Sequence, residues 1–128
     1  MSYYFSKTIQ GSVDEVSDKV KAALKEEGFG VLTEIDIKST LKEKLGVSFK
    51  PYRILGACNP PLAFEALLAE DKIGTMLPCN VVVIDVGEDK TEIAAVDPVA
   101  SMQAVVNPSL ARVADQVRGK LQKVIESV

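Results

Sequence analysis

Residues 80–96, NVVVIDVGEDKTEIAAV, decide how the rest of the chain is interpreted. The first half is a continuous run of β-branched apolar residues, which is typical of a strand in the middle of a sheet. Gly87, Glu88 and Asp89 follow, and residues 90–96 form a second strand-like run. Two such runs joined by a short turn predict a β-hairpin. The centre of the predicted fold is therefore antiparallel.

Two long amphipathic helices are predicted, one on each side of this hairpin in the sequence. Ser12 and Glu15 fit a capping box, because the serine can accept the amide of Glu15 and the carboxylate can reach back to the cap. Apolar residues follow at helical spacing as far as Gly28, which ends the first helix. Asn107 and Pro108 begin the second helix, which carries a clean apolar stripe.

The remaining segments are three strands and two short helices. Residues 29–37 alternate and predict a half-buried strand with Val31, Thr33, Ile35 and Ile37 on one face. The other predicted segments are an edge strand at 3–10, a helix at 39–46, a strand at 52–57, and a helix capped by Asn59 that runs to about residue 70.

The order of these segments predicts the fold class. No linker, repeat or low-complexity tract divides the chain, so residues 1–128 are expected to form a single domain. The simplest architecture consistent with this order is α+β: a mainly antiparallel sheet with two long amphipathic helices on one face, plus short helical insertions.

Composition narrows the class of protein. A chain of 128 residues with 47% hydrophobic residues can form a core without disulfides or metals. No apolar run approaches the roughly 20 residues of a membrane span, and the N-terminus lacks the pattern of a signal peptide. We therefore expect a cytoplasmic protein, whose thiols stay reduced. The net charge of −3 disfavours nucleic acid and membranes as partners.

One segment departs from this acidic balance. Between residues 38 and 53 there is a single acid, Glu43, against five basic residues: Lys38, Lys42, Lys44, Lys50 and Arg53. Two interpretations stay open, a local basic face and an ordinary solvated surface.

The chain's only two cysteines lie in similar surroundings. Residues 57–61 read ACNPP and residues 77–80 read LPCN, and the chain contains no histidine. Cys58 precedes the start of a predicted helix, where the helix dipole favours a thiolate. Pro60 and Pro61 remove the first two amide donors of that helix, which weakens this effect. The alternative is that Cys58 is a small buried residue.

The cysteines meet only if the strands at 52–57 and 80–86 are neighbours in the sheet. Both thiols would then lie at one end of the sheet, where a reversible disulfide, a persulfide or a shared soft metal is conceivable. The cysteines are 21 positions apart without a histidine, so no metal site is predicted. No cofactor is indicated by any motif.

Four stretches together resemble a known family. They are the run from Asp36 through Lys42 and Lys44 to Tyr52, residues 56–60 (GACNP), residues 74–80 (GTMLPCN), and Asp97 with Pro98. This pattern resembles the domain of unknown function 302 family of small prokaryotic proteins, and it spans essentially the whole chain. The resemblance implies a fold like that of the TATA-box-binding protein, with the order strand, helix, four strands, helix. It implies no activity.

Three functional hypotheses follow from the sequence, and whether the protein is an enzyme stays open. The first is a thiol-dependent redox, sulfur-transfer or carrier protein that uses Cys58 and Cys79 as its reactive residues. The second is a non-catalytic module that binds a small molecule between helix and sheet, with polar contacts from Asn59, Asn80 and Tyr52.

The third hypothesis is a homodimer, formed through the N-terminal edge strand that begins with Tyr3, Tyr4 and Phe5. It is compatible with either of the other two. Asp36 and Asp97 are further candidate ligand-binding residues, although Asp97 before Pro98 is also a typical turn former.

Overall fold

The computed structural model describes residues 2–128, and it contains five strands and five α-helices within that range. The strands are β1 (Tyr4–Gln10), β2 (Gly30–Asp36), β3 (Tyr52–Cys58), β4 (Cys79–Gly87) and β5 (Lys90–Val96). The helices are α1 (Val13–Glu26), α2 (Ile37–Leu45), α3 (Pro60–Ala69), α4 (Pro98–Ser101) and α5 (Pro108–Ser127), and a 3-10 helix (Asp71–Met76) follows α3.

The five strands form one antiparallel sheet in the order β1-β5-β4-β3-β2. The apolar strand β4 is central and β1 is an edge, as predicted. Glu88 and Asp89, between β4 and β5, both have positive φ, at 56° and 57°. Positive φ at both central residues is typical of the tight two-residue hairpin turn, because the twist of this turn matches that of the flanking strands. The predicted hairpin is therefore confirmed.

One face of the sheet packs on the long helices α1 and α5. Side chains alternate along a strand, and Leu55, Val81, Val83 and Ile93 are fully buried against the helices. The predicted cap of α1 is present, because Ser12 Oγ accepts the amide of Glu15 at 3.1 Å. The predicted α+β class, with two amphipathic helices on one face of the sheet, is confirmed.

The predicted alternation of β2 is wrong. Val31 pairs with Ala57 but Thr33 pairs with Gly56, so Leu32 is an extra residue in a β-bulge. A bulge reverses the faces of the residues that follow it, and Thr33 and Ile35 therefore lie on the face opposite Val31. The strand also ends at Asp36, because Ile37 already belongs to α2.

No helix among residues 2–128 is long and apolar enough to cross a membrane. The order strand, helix, four strands, helix is present once the short helices are set aside. The closer likeness to the TATA-box-binding protein stays a prediction.

Candidate functional site

A cavity of about 320 Å³ lies where one end of the sheet meets α3, α4 and α5. Its walls are almost entirely apolar. They include Phe29 and Ala57 at the sheet, Ala66 on α3, and Val113 on α5. Leu67 also lines the cavity and is 45% exposed to solvent, so it marks the mouth. The cavity is thus an apolar space that opens to solvent.

Both cysteines line this cavity. Cys58 is the last residue of β3 and is half-buried, and Cys79 is the first residue of β4 and is buried. Because β3 and β4 are neighbours and Ala57 pairs with Cys79, the structure brings the two thiols to the same end of the sheet. The sequence left this proximity open.

The two thiols are free, and the register does not favour a bond between them. Residues directly opposite each other on neighbouring strands have the closest β-carbons. Cys79 lies opposite Ala57, while Cys58 pairs with Gly30 on the other side of β3. The pairing therefore offsets the cysteines by one residue.

Burial, with a smaller contribution from the neighbouring Cys58, raises the pKa of the Cys79 thiol from its ordinary value to about 11. Burial acts in this way because the thiolate loses its hydration. Cys79 is therefore a neutral thiol near pH 7, and only a thiolate is a good nucleophile.

Asn59 also lines the cavity, but its amide group has structural partners. Its Oδ1 accepts the amide of Leu62 at 3.4 Å and so caps α3, as predicted. Its Nδ2 donates to the carbonyl oxygen of Glu27 at 3.3 Å. Asn59 thereby ties the end of α1 to the start of α3 and holds the cavity wall in place.

The structure does not bring Tyr52 and Asn80 to this cavity. Both line a separate groove of about 310 Å³ on the open face of the sheet, together with Tyr3 and Tyr4. Asn80 follows Cys79 directly, and successive side chains of a strand point to opposite faces. The predicted trio of Asn59, Asn80 and Tyr52 is therefore divided between the two faces of the sheet.

The two predicted aspartates are helix caps. Asp36 is exposed, and its carboxylate accepts the amide of Ser39 at 3.0 Å at the start of α2. Asp97 is buried, accepts the amide of Val99 at 3.0 Å, and also accepts a bond of 3.1 Å from Nε of Arg118. Neither is among the residues that line the cavity.

Several lining residues escaped the sequence analysis. Leu32 lies in the bulge of β2, while Leu67 on α3 and Val117 on α5 look like ordinary helical residues in sequence. The one signal in the sequence was that the segment of α3 is apolar on nearly every side. In the structure, two of its apolar side chains, Phe64 and Leu68, are strongly exposed.

Within residues 2–128, no group of three or more histidine, cysteine, aspartate or glutamate side chains is arranged to hold a metal ion. The cavity offers sulfur, one amide and hydrocarbon. Its chemistry suits an apolar occupant.

Comparisons with known proteins agree with the fold and with the family resemblance. The family model described as "Domain of unknown function DUF302" matches residues 5–128. A crystal structure of an uncharacterized conserved protein of the same description from Bacillus stearothermophilus is 28% identical and covers 98% of each chain, with a TM-score of 0.90. No curated protein matches this chain.

Proposed function

We propose a ligand-binding function for this chain, which belongs to the family described as Domain of unknown function DUF302. In this proposal a small, mainly apolar molecule binds in the cavity between the sheet and helices α3, α4 and α5. The cavity itself supports the proposal: its volume of about 320 Å³ lies at the lower end of the range for ligand pockets. Cavities with apolar walls accept apolar guests.

The affinity would come from hydrophobic transfer, because the walls offer few polar partners. Each methylene group that moves from water into such a cavity contributes about 0.8 kcal/mol. The polar end of a ligand would lie at the mouth near Leu67, where solvent is available. Binding is then expected to strengthen with the length of the apolar part until the cavity is full.

The test uses the neutral fluorescent dye N-phenyl-1-naphthylamine and the variant Ala66→Leu. Ala66 is buried and lines the cavity, so the larger side chain occupies the space that a ligand needs. We expect the dye to bind the wild-type protein with a dissociation constant on the order of micromolar. With the dye bound, the added leucine side chain and the dye would overpack the cavity at a cost of about 1–3 kcal/mol. The variant should therefore bind the dye at least about tenfold more weakly than the wild type.

Ala111→Leu is the matched control, because Ala111 lies on the exposed side of α5 and away from the cavity. Filling a cavity commonly raises the free energy of unfolding by about 0.5–2 kcal/mol, so the ligand-free Ala66→Leu protein should also be more stable in urea. Absence of dye binding to the wild type, or equal affinity of both variants, would remove the proposal.

A second candidate function is a thiol role for Cys58, in a cytoplasm that keeps both cysteines reduced. Cys58 supports it because this residue is half-buried on the cavity wall, next to the space an occupant would fill. Attack of its thiolate on a disulfide-containing occupant would form a mixed disulfide and release the other half of that disulfide as a thiolate. Cys79, as a neutral buried thiol, would stay out of this step near pH 7.

Labelling with iodoacetamide, resolved by peptide mass, tests this assignment. At pH 8 we expect Cys58 to react in the folded protein, and Cys79 to react roughly a hundredfold more slowly than in urea. The reason is that a pKa of about 11 leaves far less thiolate than the ordinary value near 9. If both thiols react only after unfolding, the thiol role is excluded.

The same pKa difference gives a second readout, the stability in alkali. Below about pH 9 the Cys79 thiol is protonated in both states and has no effect on the free energy of unfolding. Between pH 9 and 11 the unfolded state loses this proton first, so the protein should become less stable as pH rises. Cys79→Ala should flatten this part of the curve.

A further inference from the structure

The surface carries two patches of exposed apolar side chains, one surrounded by acidic residues at the mouth of the cavity and one surrounded by basic residues elsewhere. The first is the surface of α3 and the 3-10 helix, here called the acidic patch. Phe64 is 64% exposed and Leu68 is 73% exposed, although such side chains are usually buried. The acidic patch consists of Phe64, Leu67 and Leu68 with the acids Glu65 and Glu70. The neighbouring Asp71 pairs with Lys72 at 2.5 Å and so adds no net charge to it.

The second patch is the surface of α2 and the loop after it, here called the basic patch. Helix α2 has no buried residue, and Leu45 is 69% exposed. The basic patch consists of Leu45, Val47 and Phe49 with Lys38, Lys42, Lys44 and Lys50. Within residues 2–128 none of these four lysines forms an ion pair.

Arg53, which the sequence grouped with these lysines, belongs elsewhere. Its guanidinium pairs with Asp14 and lies 3.6 Å from Glu34. The unpaired positive charge is therefore concentrated on the same short segment as the exposed apolar side chains.

The helices of the two patches begin at opposite ends of neighbouring strands. Helix α2 begins where the edge strand β2 ends, and α3 begins where β3 ends. Because β2 and β3 are antiparallel, these ends point in opposite directions. A two-fold axis that passes between the two patches would place the basic patch of each copy on the acidic patch of the other.

We propose that a second copy of this chain binds here, with the basic patch of each protomer on the acidic patch of its partner. The contact is self-complementary, as a two-fold dimer requires, because each copy supplies both patches. Opposite charges around apolar centres are the usual complementarity of a specific interface. The interface differs from the β1 edge that the sequence suggested.

Docking at the acidic patch would also cover the mouth of the cavity, because Leu67 belongs to both. This consequence rests on the proposed ligand binding, whereas the dimer itself does not. Oligomeric state and dye binding are separate measurements, so failure of one proposal is distinguishable from failure of the other.

Sedimentation equilibrium of charge-reversed proteins tests the dimer. The wild-type chain should dimerise, and Lys42→Glu/Lys44→Glu should weaken dimerisation at least about tenfold, because glutamates then face Glu65 of the partner. Glu65→Lys/Glu70→Lys should weaken it similarly. An equimolar mixture of the two variants should recover the dimer, since both contacts of the mixed pair are again between opposite charges.

Lys19→Glu/Lys123→Glu is the matched control, because both lysines are exposed on the long helices outside the two patches. It changes the net charge by the same amount and should leave dimerisation unchanged. Phe64→Ser/Leu68→Ser should weaken the dimer without altering charge. A wild-type monomer at high micromolar concentration, or a mixture that associates no better than its components, overturns the proposal.

Discussion

Gly56→Ala is expected to destabilise the protein by about 2–3 kcal/mol, near the upper end of the effect of overpacking a tight site. A β-carbon at Gly56 would overlap Oγ1 of Thr33 on β2 and would lie 2.8 Å from Cγ of Pro78, which precedes β4. Threonine is stiff at χ1 and the proline ring is rigid. Thr33 can move Oγ1 aside only by leaving its χ1 rotamer, and Pro78 can move only together with its backbone. Urea unfolding measures the change.

Gly119→Ala is the control for this prediction. Gly119 lies inside α5 with no atom within 4 Å of an added β-carbon. An exposed helical glycine is less favourable than alanine by roughly 0.5–1 kcal/mol, so this variant should be more stable than the wild type. A Gly56→Ala protein at least as stable as the wild type would refute the tight contact at Gly56.

A double-mutant cycle with Thr33→Ala sharpens the test. Removing Oγ1 relieves the shorter of the two contacts but leaves the contact with Pro78. The double variant should therefore recover part of the loss, with a coupling free energy of about 1 kcal/mol, within the range for residues in contact.

Asp97→Ala is expected to lower the free energy of unfolding by roughly 2–4 kcal/mol. The carboxylate of Asp97 is 3% exposed, caps α4 through the amide of Val99, and pairs with Arg118. Removal of the side chain leaves that amide without its acceptor and that guanidinium without its counter-ion. Arg118 is still 40% exposed, so water compensates part of the lost ion pair. Thermal and urea unfolding would report the change.

Asp97→Asn separates the two roles, because an amide oxygen still caps α4 but carries no charge. We expect it to lose about half as much stability as the alanine variant. Asp115→Ala, at an exposed position of α5, should stay within about 0.5 kcal/mol of the wild type. An Asp97→Ala protein as stable as the Asp115→Ala protein would contradict the structural role assigned here.

Most elements of the fold are readable from the sequence because their signals are local. The caps at Ser12, Asn59 and Asn107 each act on an amide two or three residues away. The turn at Glu88 and Asp89 is likewise local. The continuous apolar run between residues 80 and 86 indicates by its composition alone that this strand is central in the sheet. Helix and strand order follows from such short-range chemistry.

The candidate site was only partly predictable. Cys58, Cys79 and Asn59 were singled out from their motifs, and all three line the cavity. Asn80 and Tyr52 were grouped with them, yet they lie on the opposite face of the sheet. Nothing in the composition of β4 says which of two neighbouring side chains faces the helices, because that depends on the strand's register with β3.

The sequence by itself determined the order of the five strands and of the longer helices, the caps and the turn that begin most of them, and the residue types available for chemistry. Only the tertiary structure decided that Leu32 forms a bulge, that the two thiols share one apolar cavity, and that α2 and α3 begin at opposite ends of neighbouring strands. The physical reason is the separation along the sequence over which each interaction acts. Capping and turns act over a few residues along the chain, whereas register, cavities and surface charge arise between residues that are distant in sequence and become neighbours only on folding.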